Sequence, residues 1–294
     1  MGNVAAAGPW RPRLNRLGGR WRTHLPAVRG LVALDTATAV SSFAPYAVVA
    51  AVAGITAVVL QNDLYRVEQD GLLVISEPFA LPVYLGTLLL AVVQAASVTI
   101  AVAREREQGA TELLFYGPVD ARIYLVAKMC SSLLLYLWLT GLTAICYLLF
   151  TVVTGLRLGG TVAWALVLSV GVAAAATGLA LAVSAAVRRL RTAVLTVLAL
   201  AVLAIGLQVV ADVMARLPAP DFHVSPLHVV RLAASGISTV TGWLLPFSYL
   251  DRGLAALGRG DTRGFLETLL ACAIYAMAML GVAWLALNKT GVRR

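Results

Sequence analysis

Apolar residues gather into six long runs, at 41–60, 81–103, 128–154, 161–187, 192–211 and 268–288. A helix rises about 1.5 Å per residue, so a hydrocarbon layer ~30 Å thick takes about 20 residues to cross. All six runs reach that length, and the one charged residue inside them, Lys128, stands at the first position of its run. A charge at the bilayer centre costs at least ~2.5 kcal/mol, so near-complete exclusion of charge is what crossing helices require. The pattern predicts an all-α, polytopic membrane protein with six transmembrane helices.

Two segments fit neither a span nor a plain loop. Residues 10–40 mix arginines with Trp10, Trp21 and apolar residues, and helix-friendly sequence continues past Asp35. A single helix over 28–60 would be about 50 Å long, too much for one crossing. An N-terminal amphipathic elbow along the cytoplasmic interface, turning upward into the first span, is expected instead. The chain then divides into an interfacial segment 1–40 and a six-helix membrane domain 41–294. The second segment, 212–267, opens with Pro218-Ala219-Pro220-Asp221 and is interrupted by Gly236, Gly242 and Pro246. Short extracytoplasmic helices between the fifth and sixth spans are predicted there, with residues 250–261 reading as a helix, a glycine cap and a turn.

Composition agrees with lipid as the solvent: 60% of residues are hydrophobic and 13% charged, against roughly a quarter charged in soluble domains. The net charge of +9 comes from basic clusters at the ends of the apolar runs. That placement predicts contact with lipid headgroups and no nucleic-acid partner. Of the 23 Lys and Arg residues, 16 fall in 1–40, 104–128, 188–191 and 289–294, and 7 in the alternate segments. The richer set contains both termini, which places them in the cytoplasm and the protein in the cell membrane. The basic N-terminal stretch and the first run both exceed signal-peptide lengths, so the first span is expected to be uncleaved. Cys130, Cys146 and Cys272 lie inside apolar runs without metal-ligand spacing.

The loop between the second and third runs carries the most information. It reads Arg104-Glu105-Arg106-Glu107-Gln108-Gly109-Ala110-Thr111-Glu112-Leu113-Leu114-Phe115-Tyr116-Gly117-Pro118, and continues through Arg122 to Lys128. These residues describe a charged helix end, a glycine break, a short helix that Thr111 can cap, and a Gly-Pro stop. Such a helix can dock its apolar side chains and carboxylates in a partner's groove. The alternative is a solvated turn whose charges anchor two helix ends.

This loop resembles the signature of ABC-2 type permeases, membrane subunits of ATP-binding-cassette exporters with the type V architecture. The likeness extends to six spans, cytoplasmic termini, an N-terminal elbow and a large outer segment before the last span. Ala110 and Ala127 stand where that family usually has glycine. The resemblance implies a coupling helix over about 107–116, in which Glu107, Gly109, Thr111, Glu112, Leu113 and Leu114 touch a separate ABC ATPase and Pro118 ends the helix. It places Arg104, Arg106 and Lys128 at the cytoplasmic interface. It also implies a second permease copy, identical or related, and ATP with Mg bound by the ATPase.

The chain itself has no G-x-x-x-x-G-K-[ST] loop; its only lysines, Lys128 and Lys289, follow no glycine-rich turn. No cofactor is therefore expected in this chain, nor an enzymatic site of its own. The six runs hold no Asp, Glu or His, which argues against ion-coupled transport. Two other readings stay open: a non-transporting assembly or regulatory subunit that binds an ATPase, and an intramembrane enzyme using Asp221, His223 and His228. Gly171, Ala174, Ala175 and Gly178 form a stripe of small residues, read as tight packing inside the bundle or as a subunit interface or central path. Gln94, Thr99 and Gln208 either line a path or bond a neighbouring helix.

Overall fold

The computed structural model describes residues 20–70, 78–109, 120–187, 189–216, 242–243 and 245–290. Among the described residues eight α-helices are delineated: α1 (Arg20–Ser41), α2 (Ala44–Asp70), α3 (Ala80–Glu107), α4 (Ala121–Thr154), α5 (Gly160–Ala186), α6 (Leu190–Arg216), α7 (Ser248–Gly258) and α8 (Thr262–Thr290). Among the described residues no strand occurs. Among the described residues, five helices are long and apolar enough to cross a membrane: Ala44–Tyr65 within α2, then α3, α4 and α5, and Thr262–Lys289 within α8. α6 occupies the remaining predicted run, and Leu190–Leu203 is the apolar stretch described in it.

Local chemistry explains the breaks. α1 and α2 part at Ser42 and Phe43. Pro45 has no N–H for the Ser41 carbonyl, and it disfavours helix in the residue before it. The hydroxyls of Ser41 and Ser42 donate to the carbonyls of Thr38 (3.0 Å) and Ala39 (2.8 Å), closing the end of α1. A separate N-terminal helix was expected, and α1 packs chiefly along α4. At the far end of α4, Gly155 takes a left-handed φ of 70° and donates its N–H to the Thr151 carbonyl at 2.9 Å. A residue with a side chain adopts that conformation only with strain, so glycine ends the helix.

The helix–cap–turn predicted at 250–261 is present. α7 closes at Gly258, Gly260 has a φ of 70°, and the Asp261 carboxylate accepts the Gly264 N–H at 3.0 Å to cap α8. Residues 217–241 of the outer segment, with Asp221, His223 and His228 among them, lie outside the described residues.

α5 is the axis of the bundle. Protein covers 61% of its most apolar 18 residues, against 17% for α2 and 22% for α8, so α5 is enclosed while those two line the rim. Its most extensive contact is with α8, its next with α3. A Cβ on Gly171 would lie 3.2 Å from Leu269 Cδ2, and one on Gly178 would lie 3.1 Å from the Ala276 carbonyl oxygen. At these two positions the small-residue stripe serves close packing of α5 on α8.

α4 turns its polar side inward. Tyr124, Lys128, Ser132, Thr140, Thr143 and Tyr147 are buried, whereas Leu134, Leu137, Trp138 and Leu148 are exposed. This is the arrangement lipid requires, because only the protein interior offers hydrogen-bond partners. Gln94 of α3 donates to the carbonyl (2.9 Å) and hydroxyl (2.7 Å) of Ser132, whose hydroxyl lies 3.2 Å from that of Thr177 on α5. Gln94 therefore bonds a neighbouring helix. Thr99 bonds its own, donating to the Ala95 carbonyl at 2.8 Å. The side chain of Gln208 lies outside the described set.

Gly178→Ala is expected to destabilise the purified protein by about 1–2 kcal/mol, because the added methyl meets helix backbone that cannot yield. Gly281→Ala on α8, where a Cβ would meet nothing within 4 Å, should be neutral or slightly stabilising. Thermal unfolding in detergent checks both; equal effects would remove the close-packing account.

Candidate functional site

The last turn of α3 carries four charges in succession, Arg104, Glu105, Arg106 and Glu107. Successive side chains on a helix point about 100° apart, so four neighbours radiate toward different surroundings. Arg104 is exposed. The other three reach three separate helix segments.

Glu105 reaches inward to α4. Its Oε1 lies 2.5 Å from Lys128 Nζ, and its Oε2 accepts the Tyr124 hydroxyl at 2.6 Å. Lys128 Nζ also lies 2.8 Å from Asp35 Oδ2 on α1. One ammonium thus joins α1, α3 and α4. Its side chain is 10% exposed, and those of Asp35 and Glu105 are 30% and 28% exposed. A desolvated cation is tolerated where paired carboxylates offset its lost hydration, and that condition is met here. The sequence placed Lys128 at the head of its apolar run. The helix instead starts two turns earlier, at Ala121, and protein encloses the ammonium.

Arg106 reaches the end of α5. Its Nη1 donates to the carbonyls of Ser184 and Ala185 at 2.7 Å each, and to that of Val187 at 3.4 Å. Glu107 reaches the start of α6, where its Oε1 accepts the Leu190 N–H at 2.6 Å. A further contact closes the same end of the bundle: the Arg122 guanidinium sits 4.2 Å from the Trp284 ring centroid, joining α4 to α8.

Beyond this turn Gln108 caps α3 through its N–H to the Arg104 carbonyl (3.0 Å), and Gly109 leaves the helix with a φ of 70°. The glycine break expected there has its physical reason in that left-handed exit. Thr111, Glu112, Leu113, Leu114 and Pro118, expected to form the coupling helix, lie outside the described residues. The described chain resumes at Asp120, which precedes α4 in an extended conformation. The site on view is therefore the stem of the loop. Its chemistry is mechanical: charged side chains fasten helix ends together at one end of the bundle.

A family model described as ABC-2 family transporter protein matches residues 50–285, from within α2 to near the end of α8. The chain belongs to the ABC-2 transporter family. No curated protein matches it. Membership makes the chain a multi-pass membrane permease subunit of an ABC transporter, and implies partnership with a separate ABC ATPase. α1 and its Asp35 precede the matched stretch of this ABC-2 protein, so the ion cluster ties the family region to a helix outside it.

Sequence reasoning singled out Lys128 and Arg106 but not Asp35, Glu105 or Tyr124 as their company. A signal was available: Asp35 is a lone carboxylate after Leu31-Val32-Ala33-Leu34, and Lys128 is a lone cation at the head of an apolar run. Two isolated opposite charges in apolar surroundings predict each other.

Lys128→Met is expected to leave two carboxylates facing each other. The cost is about 2 kcal/mol, below the ~3–5 of a fully buried pair because both acids keep some solvent contact. Asp35→Asn should cost less, since Lys128 keeps Glu105. A melting temperature for Lys128→Met equal to wild type would show that the cluster adds nothing to the fold.

Proposed function

We propose that this permease subunit works as an exporter, in which a separate ATPase acts on the cytoplasmic loop after α3 and switches the helices between inward- and outward-facing states. The observation that carries the reading is the family match over 50–285. It is supported by the loop sequence and by the stem beneath it. A loop that receives a push must pass it on, and Glu105, Arg106 and Glu107 fasten its base to α4, α5 and α6. In this reading Glu107, Gly109, Thr111, Glu112, Leu113 and Leu114 form the coupling helix, Pro118 ends it, and ATP with Mg stays in the ATPase.

α6 is the sixth crossing. It has 27 residues, about 40 Å of helix, and residues 192–211 carry no charge. With six crossings, the Lys and Arg bias puts both termini in the cytoplasm, α1 at the cytoplasmic interface, and Asp63, Glu68 and Asp70 outside. Two permease copies and two ATPases make the working unit, and closure of the ATPases drives a rigid-body rearrangement of the spans. Uncharged spans suit an amphiphilic or hydrophobic cargo. The six apolar runs hold no Asp, Glu or His that could couple transport to a proton or sodium gradient, which favours drive by ATP.

Two measurements test this. Gln108→Cys should react with a membrane-impermeant maleimide only from the cytoplasmic side; reaction from outside would invert the topology and end the proposal. Glu112→Arg should lower the amount of ATPase co-purified with the tagged chain about tenfold or more, since like charge at an interface costs several kcal/mol. Membrane insertion should be unchanged. Full recovery of an active complex from Glu112→Arg would count against this loop as the contact.

A further inference from the structure

We propose that Arg106 and Glu107 form a two-sided clamp that makes the end of α5 and the start of α6 travel with the cytoplasmic end of α3. The proposal rests on the reading that the ATPase acts on the loop after α3, and it makes both side chains positioning residues in the stem of that loop. A push on one cytoplasmic loop then reaches a second without the ATPase touching it.

The geometry is reciprocal. The last carbonyls of a helix and its first N–H groups have no intrahelical partner. Arg106 donates to the carbonyls of Ser184, Ala185 and Val187 at the end of α5. Glu107 accepts from the Leu190 N–H at the beginning of α6. The signs suit the helix dipoles, a cation at a C-terminus and a carboxylate at an N-terminus. Because the two residues are adjacent and diverge by about 100°, one turn of α3 reaches both ends of the short connection between α5 and α6.

Packing makes these bonds consequential. α5 and α6 touch each other far less than either touches α3. α3 is thus the common support of both, and Arg106 and Glu107 fix the cytoplasmic end of that support. α5 in turn is packed tightly on α8 through Gly171 and Gly178. Motion delivered to the end of α5 and the start of α6 is therefore delivered to the axis of the bundle. Simple capping would change stability alone, whereas a clamp also determines whether the two segments move together.

The experiment uses the whole chain in lipid nanodiscs, with Cys130 and Cys146 replaced by Ala and spin labels at the exposed positions Gln108 and Arg191. The wild-type label–label distance distribution should be narrow. In the Arg106→Gln, Glu107→Ala double variant it should broaden about twofold, as expected for a freed segment. A reference pair at Val167 and Leu270, both exposed on α5 and α8, should stay unchanged and so report an intact fold. Glu107→Gln, which keeps an acceptor oxygen for Leu190, should recover most of the narrow distribution that Glu107→Ala loses. Should the double variant fail to fold, the contrast between Glu107→Ala and Glu107→Gln decides the matter.

With the co-purified ATPase present, adding a non-hydrolysable ATP analogue should leave the wild-type 108–191 distance unchanged. A narrow distribution in the double variant, or a wild-type distance that changes with the analogue, overturns the clamp. Failure of the underlying reading looks different: a photocrosslinker at Gln108 that never captures the ATPase, with the 108–191 distribution still narrow and still dependent on Glu107.

Discussion

A packed protein interior offers no bulk water, so each polar group buried in it needs a partner there. Lys128 is the severest instance among the described residues. Its ammonium sits two turns inside a long apolar helix, and it is held by Asp35 from α1 and Glu105 from α3. Satisfying that one charge brings three helices to a common point at the end of the bundle that carries the loop after α3. The geometry of the loop stem follows, because Glu105 is held in place by Lys128 and Tyr124 and the next two side chains are thereby aimed outward to α5 and α6.

The same constraint shapes the rest of α4. Its serines and tyrosines face inward together with Leu125, Leu135 and Leu139, while Leu134, Leu137, Trp138 and Leu148 face out. Elsewhere the bundle is held by close contact of small residues. Apolar side chains gain little from leaving lipid for protein, so dispersion contact takes over the role that hydrophobic burial plays in water. Gly171 and Gly178 let α5 and α8 approach closely. The molecule thus combines a tightly packed pair with a charged junction at one end.

Much of this was legible in the residues themselves. Apolar run lengths located most of the helices, Gly109 marked the break after α3, and residues 250–261 read as a helix, a glycine cap and a turn. These signals are local, acting within a few residues through backbone geometry and hydrogen bonding. The partners of Lys128 were not legible in the same way. Asp35 lies 93 residues away in sequence, and no local rule selects it. Nor did the run of charges at 104–107 say whether it faced water or the protein. Both readings of that loop drew on the same residues, and the described stem contains the anchoring that one of them expected.

The sequence by itself determined that this is a helical membrane protein, where its helices lie, and which loop carries the ABC-2 signature, because hydropathy, proline and glycine act locally. Only the tertiary structure decided which side chains meet. It made α5 the axis, turned the polar side of α4 inward, set the glycine stripe against α8, and directed Glu105, Arg106 and Glu107 to three different helix segments. The physical reason is that each of these pairings depends on the rotation and position of whole helices. Those are settled by packing all of them together, and no single segment encodes them.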